Sequence, residues 1–107
     1  MKIKEERKLP QEYARITCEI DNNEIDLPDG YYRVVCRGYD WSKAYKLRKQ
    51  KNFFSETLVP VRGKLISIKE LIQATIEVKH ATGYHGNYLE SVEYCPLTRC
   101  LQIYMGS

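Results

Sequence analysis

The chain has 107 residues, 43% of them hydrophobic and 29% charged, with a formal net charge of +3. That is enough for one well-buried core but not for two. No apolar run approaches the roughly 18 residues of a membrane span, and the start, MKIKEERKLP, lacks the apolar centre of a secretory signal. These totals point away from a membrane protein or a disordered tail and towards a single domain, residues 1–107, in a reducing cytoplasm.

Residues 1–11 read as a mobile arm, because lysines, arginine and glutamates alternate there and Pro10 stops any helix. From Ala14 the pattern has period two, with Ala14, Ile16, Cys18 and Ile20 on one side and Arg15, Thr17, Glu19 and Asp21 on the other. That is the signature of a half-buried strand. A short strand, Glu24 to Leu27, then meets Pro28-Asp29-Gly30, and Tyr31 to Tyr39 follows as a strong strand.

Asp-Gly between two such runs predicts a hairpin. A two-residue loop there would set Leu27 against Tyr32, Ile25 against Val34 and Asp26 against Arg33. A bulge at Asn22-Asn23 would return Ile16, Cys18 and Ile20 to the face of Tyr32, Val34 and Cys36, and bring Asp21 opposite Arg37.

Asp40-Trp41-Ser42 breaks the alternation, and Ser42 to Lys51 reads as a short helix or a basic loop. Phe53-Phe54 need cover, and Glu56 to Val61 reads as a strand that ends around Pro60 and Arg62-Gly63. Ser67 to Thr82 carries the main helix. Ser67 is the N-cap, Glu70 completes a capping box, and Ile66 and Leu71 stand in staple positions. Ile68, Leu71, Ile72, Thr75 and Ile76 form its apolar face, with Lys69, Gln73, Glu77 and Lys79 mostly opposite. Lys79 and His80 suit the negative end of the helix dipole, and Gly83 stops the helix.

A C-terminal hairpin follows, with Pro96-Leu97-Thr98-Arg99 as its loop. It pairs Cys95 with Cys100, Tyr94 with Leu101, Glu93 with Gln102 and Val92 with Ile103. The predicted fold is therefore α+β: an antiparallel sheet of about four or five strands packed on one main helix.

Four cysteines invite a zinc reading, but Cys18, Cys36, Cys95 and Cys100 contain no CxxC knuckle. The register also sends the first pair to the core face and the second to the outer face. No metal is expected, and Cys95 and Cys100 are expected to be reduced thiols that form a cross-strand disulfide on oxidation. The only imidazoles, His80 and His85, form no local motif with a cysteine. No phosphate loop, dinucleotide fingerprint, nucleophile elbow or zincin motif is present. The sequence thus supports no catalytic residue and no cofactor, and a non-enzymatic role is expected.

The feature that stands out is the basic, aromatic stretch Tyr39 to Phe54. Lys43, Lys46, Arg48, Lys49 and Lys51 lie within nine residues, with no carboxylate between Asp40 and Glu56. Without these five the chain holds 12 basic residues against 14 acidic ones. Lysine and arginine neutralise phosphates, and exposed aromatic rings stack on bases or anchor protein interfaces. Tyr39, Trp41, Lys43, Tyr45, Lys46, Arg48, Lys49 and Lys51 are the expected contact residues for nucleic acid or for an acidic nucleoprotein surface. The competing reading is a solvated face whose aromatic residues belong to the core.

The alternative function is a protein-interaction module or inhibitor, of the size of phage-encoded host-takeover and anti-defence (anti-CRISPR-like) proteins, acting through exposed tyrosines and a sheet edge. That comparison rests on size and on the lack of motifs. Pairing of two copies through a sheet edge at Cys100 to Met105 would give a homodimer.

Overall fold

A computed structural model describes residues 16–39, 50–83 and 86–106, with Tyr39 and Gln50 described by their backbone alone. The elements run β1 (Thr17–Cys18), β2 (Gly30–Tyr39), β3 (Gln50–Arg62), β4 (Leu65–Ile66), α1 (Ile68–Thr82), β5 (Tyr88–Cys95) and β6 (Cys100–Gly106). The arm expected over residues 1–11 and the short helix expected after Asp40 lie outside the described residues.

Helix α1 forms where its spacing predicts. Leu71, Ala74, Thr75 and Val78 recur at three- and four-residue intervals, and all are buried. Ser67 is the N-cap, in an extended conformation, and the Leu71 N–H donates to its carbonyl at 3.0 Å. The expected capping box does not form, and the Ser67 N–H donates to Pro60 O at 3.0 Å. The Ser67 hydroxyl donates to the Glu70 carboxylate instead of accepting from a helix N–H. Gly83 ends the helix at φ 71°, and its N–H donates to Lys79 O at 2.9 Å. Only glycine takes that left-handed turn without cost. Lys79 departs from expectation. It follows Leu71 and Thr75 at four-residue steps and is 5% exposed, since that step keeps it on the buried face.

The sheet has six strands in the order β1-β5-β6-β2-β3-β4 and is mixed rather than antiparallel as expected. β2 with β3, β3 with β4 and β5 with β6 run antiparallel, whereas β1 with β5 and β2 with β6 run parallel. The C-terminal hairpin forms in the expected register, with Cys95 opposite Cys100 and Tyr94 opposite Leu101, but β6 lies between β5 and β2, so Cys100 to Met105 is not the sheet edge expected to pair two copies.

The Asp29-Gly30 hairpin does not form. β2 instead pairs with β3 and β6, so Arg33 lies opposite Leu58 and not Asp26. The two-residue hairpin turn is Gly63-Lys64, with φ of 59° and 66°, the backbone demanded by a turn that joins twisted strands. Asp29 serves that turn, accepting the Gly63 N–H at 2.8 Å, and Asp26 pairs with Lys64 at 3.1 Å.

The segment between Thr17 and Ile25 touches both edges of the sheet. The N–H groups of Thr17 and Glu19 donate to Asn87 O and Leu89 O beside β5, each at 2.8 Å. Farther along, Asn23 O accepts from Ile66 and the Ile25 N–H donates to Lys64 O, beside β4. One segment thus spans the gap, and the sheet curls around a core of Val34, Val59, Val61, Ile66, Leu71, Ala74, Val78, Leu89, Leu101 and Ile103. Ile16, Cys18 and Ile20 face that core, as the alternation predicts, together with Tyr32 and Cys36. Tyr32 meets Tyr94 edge to face at 6.2 Å.

The sheet and helix are joined at a bulge. Arg33 lies opposite Leu58 and Val35 opposite Phe54, so Val34 faces three residues of β3, Ser55 to Thr57. Ser55 replaces the missing rung: its hydroxyl accepts the Val34 N–H at 3.0 Å and donates to Thr57 O at 2.8 Å. Glu77 of α1 accepts the N–H groups of Glu56 and Thr57, each at 2.9 Å, and the Thr57 hydroxyl. Backbone donors that the bulge takes out of the ladder are thereby satisfied from the helix. At the far end of α1, Gly38 lets the helix approach closely, because a Cβ there would lie 3.0 Å from the Thr82 methyl.

Candidate functional site

Helix α1 covers one face of the sheet, and no described helix lies on the other, open face. Alternation along β2 turns Tyr31, Arg33, Val35 and Arg37 to the open face. Across the ladder, Pro60, Leu58, Phe54 and Asn52 of β3 lie opposite them. On the other flank, Gln102 lies beside Val35 and opposite Glu93. One row across four strands therefore reads Phe54, Val35, Gln102, Glu93, with Arg33 and Arg37 two positions either side of Val35.

Exposed rings and an aliphatic side chain stand among the charged and polar groups of this face, where a solvent face would normally be polar. Tyr31 is 63% exposed, Phe54 and Leu58 45% each, and Tyr104 44%. Val35 is buried beneath them without joining the core on the helix side. The cations among these residues are Arg33, Arg37 and Arg62, with Glu93 as the facing carboxylate. Arg62 donates to the Tyr31 hydroxyl at 3.1 Å, which orients that ring. Tyr104 donates to Glu93 at 3.0 Å. That hydrogen bond, with desolvation and the charges of Glu93 and Cys95 acting the same way, raises the Tyr104 pKa. Arg33 is exposed and makes no ion pair among the described residues.

A hollow of about 360 Å³ opens at one end of the face, lined by Arg37, Glu93, Tyr94, Cys95, Pro96, Gln102 and Tyr104. Cys95 and Cys100 belong to this open face, whereas Cys18 and Cys36 belong to the core side, so the sheet separates the two pairs. Among the described residues no group of three or more His, Cys, Asp or Glu is arranged to hold a metal ion. No described helix is long and apolar enough to cross a membrane.

Of the contact residues expected from sequence, Trp41, Lys43, Tyr45, Lys46, Arg48 and Lys49 lie outside the described residues. Tyr39 ends β2 opposite Gln50, and Lys51 is exposed on β3 opposite Gly38. The basic segment therefore connects two backbone positions that are paired across a hairpin. Phe54, Leu58 and Arg62 were not among the expected contacts, Arg33 was expected to pair with Asp26, and Tyr31 and Tyr104 entered only as exposed tyrosines of the alternative function. Alternation in Tyr31 to Tyr39 already put Arg33 and Arg37 on a polar side, but the ladder is needed to bring Phe54 and Tyr104 beside them. Comparison with family models, with curated proteins and with solved structures finds no match to this chain.

Proposed function

We propose that this chain is a non-enzymatic binding protein for single-stranded nucleic acid. Its open sheet face stacks bases, and the basic segment between β2 and β3 in sequence engages phosphates. The supporting observation is the combination of exposed rings, Tyr31, Phe54 and Tyr104, with Arg33, Arg37 and Arg62 on one helix-free surface. Unstacked bases offer an aromatic face to any sequence-tolerant platform, and flanking cations track the backbone. Lys43, Lys46, Arg48, Lys49 and Lys51 add charge in the stretch of sequence that links β2 to β3.

Fluorescence anisotropy with a labelled single-stranded oligonucleotide tests this reading. Phe54→Ala should weaken binding by about 1–3 kcal/mol and leave the salt dependence unchanged, because a ring and not a charge is lost. Arg33→Gln should flatten the slope of log affinity against log salt by about 0.7. Reversing the charges of Lys43, Lys46, Arg48 and Lys49 should abolish binding at moderate salt. Affinity for single strands that none of these variants alters would dismiss the proposal.

A protein partner is the second reading, and one observation favours it. Among the described residues β1 pairs with β5 only at Tyr88 and Leu89, so the edge of β5 from Ser91 onward has no strand beside it. Such an edge can accept a strand from another protein. A partner captured from a bacterial lysate that survives nuclease treatment would select this reading over the first.

A further inference from the structure

Cys95 and Cys100 are the last pair of the β5–β6 ladder, directly opposite one another beside the Pro96–Arg99 turn. Directly opposed residues of antiparallel strands have Cα atoms about 4.5–5.5 Å apart, which lies within the reach of a disulfide. The two thiols differ in surroundings. Cys95 lines the open hollow together with Arg37, Glu93 and Tyr104. Cys100 is 6% exposed, and its Sγ lies 3.2 Å from Thr98 O, to which its thiol donates.

At Cys95 the polar groups of Thr98 and Leu97 in the turn and the Arg37 cation lower the thiol's pKa, against a smaller opposing effect of desolvation. The Thr98 hydroxyl oxygen beside it is buried and has no hydrogen-bond partner. Burial acts oppositely on Cys36, on the core side, and raises its pKa. A thiolate in an electropositive, accessible setting reacts, whereas a buried thiol stays inert.

We infer that Cys95 and Cys100 form a dithiol site for hydroperoxides, with Cys95 as the attacking thiol and Cys100 as the resolving one. The Cys95 thiolate attacks the peroxide; its S–O bond forms as the O–O bond breaks, giving a sulfenic acid and releasing hydroxide, or alkoxide from an organic peroxide. Cys100 then gives up its proton and attacks the Cys95 sulfur. The S–S bond forms, the S–O bond breaks and water leaves. The two sulfurs lose two electrons between them and the peroxide gains both. This chemistry stands apart from nucleic-acid binding, since it needs only the hairpin and the hollow.

The test treats the reduced full-length chain with one equivalent of hydrogen peroxide at neutral pH, followed by intact-mass measurement and tryptic mapping. The chain should remain monomeric and lose the mass of two hydrogens. Trypsin cuts between Arg99 and Cys100, so the fragments on either side should stay joined until a reductant is added. In Cys100→Ser, a cyclic diketone probe should trap a sulfenic acid on Cys95. Alkylation of the unmodified chain by iodoacetamide needs no variant, and it should run about tenfold faster at Cys95 than at Cys18 or Cys36. Oxidation spread evenly over the four cysteines, joined fragments missing after peroxide, or Cys95 alkylating no faster than Cys18 would overturn the inference.

Discussion

Phe53 and Phe54 are neighbours in sequence and opposites in role. Phe53 lies on the helix side, near where Gly38 approaches Thr82, whereas Phe54 stands on the open face opposite Val35. The expected outcome is a clean separation. Phe53→Ala should cost about 3 kcal/mol in urea denaturation, with binding by the folded fraction unchanged. Phe54→Ala should weaken binding and change stability by less than about 1 kcal/mol. Equal stability losses from the two would mean that Phe54 is a packing residue. Residues of this kind were half legible in the sequence. Period two separates the two rings, but it does not say which side the helix will cover. Lys79 shows the same limit, because its charge argues for solvent while its four-residue spacing from Leu71 and Thr75 argues for the interior, and the spacing prevails.

At the scale of elements, the contact between the β3 bulge and α1 is held by one carboxylate. Partial burial works to raise the Glu77 pKa, but hydrogen bonds from Thr57, Gln73 and Glu56 together outweigh it and hold the group below the ordinary carboxylate range. A carboxylate depressed in the folded state stabilises the fold above its unfolded-state pKa and loses that contribution as pH falls through the folded value. Stability should therefore fall on acidification below the ordinary carboxylate range, and Glu77→Gln should reduce that fall while costing about 1–2 kcal/mol at neutral pH. Denaturant titrations at several pH values check both parts. An unchanged acid limb in the variant would assign it to other groups, among them Glu70, whose pKa is lowered chiefly by its bond from Ser67.

Elements whose signals are local were readable in advance: α1 through its cap and spacing, and the C-terminal hairpin through the agreement of its two faces. The Asp29-Gly30 turn was misread because Asp-Gly is a local preference that tertiary contacts can redirect. Here the aspartate caps the Gly63 turn across the fold, and Gly30 begins β2 without a positive φ. The bulge was not readable, since Ser55 and Glu77 acquire their roles only when distant segments meet.

The whole molecule depends on pairings with no sequence signature. β2 lies parallel to β6, and β1 lies parallel to β5, with most of the chain intervening in each case. Alternation predicts which face each strand buries, and Ile16, Cys18, Ile20, Tyr32 and Cys36 do share the core side. It does not predict strand order, and strand order is what sets Phe54, Val35 and Gln102 in one row. The basic segment was the visible part of the proposal, and the sheet face came from topology.

Isotope-labelled protein titrated with a single-stranded oligonucleotide, with amide chemical shifts followed residue by residue, tests the open face most directly. The account predicts that shifts concentrate at Tyr31 to Arg37, Phe54, Leu58 and Gln102 to Tyr104, while the amides of α1 stay in place. Shifts confined to α1 or to the β5 edge, or no shifts at saturating oligonucleotide, would contradict it.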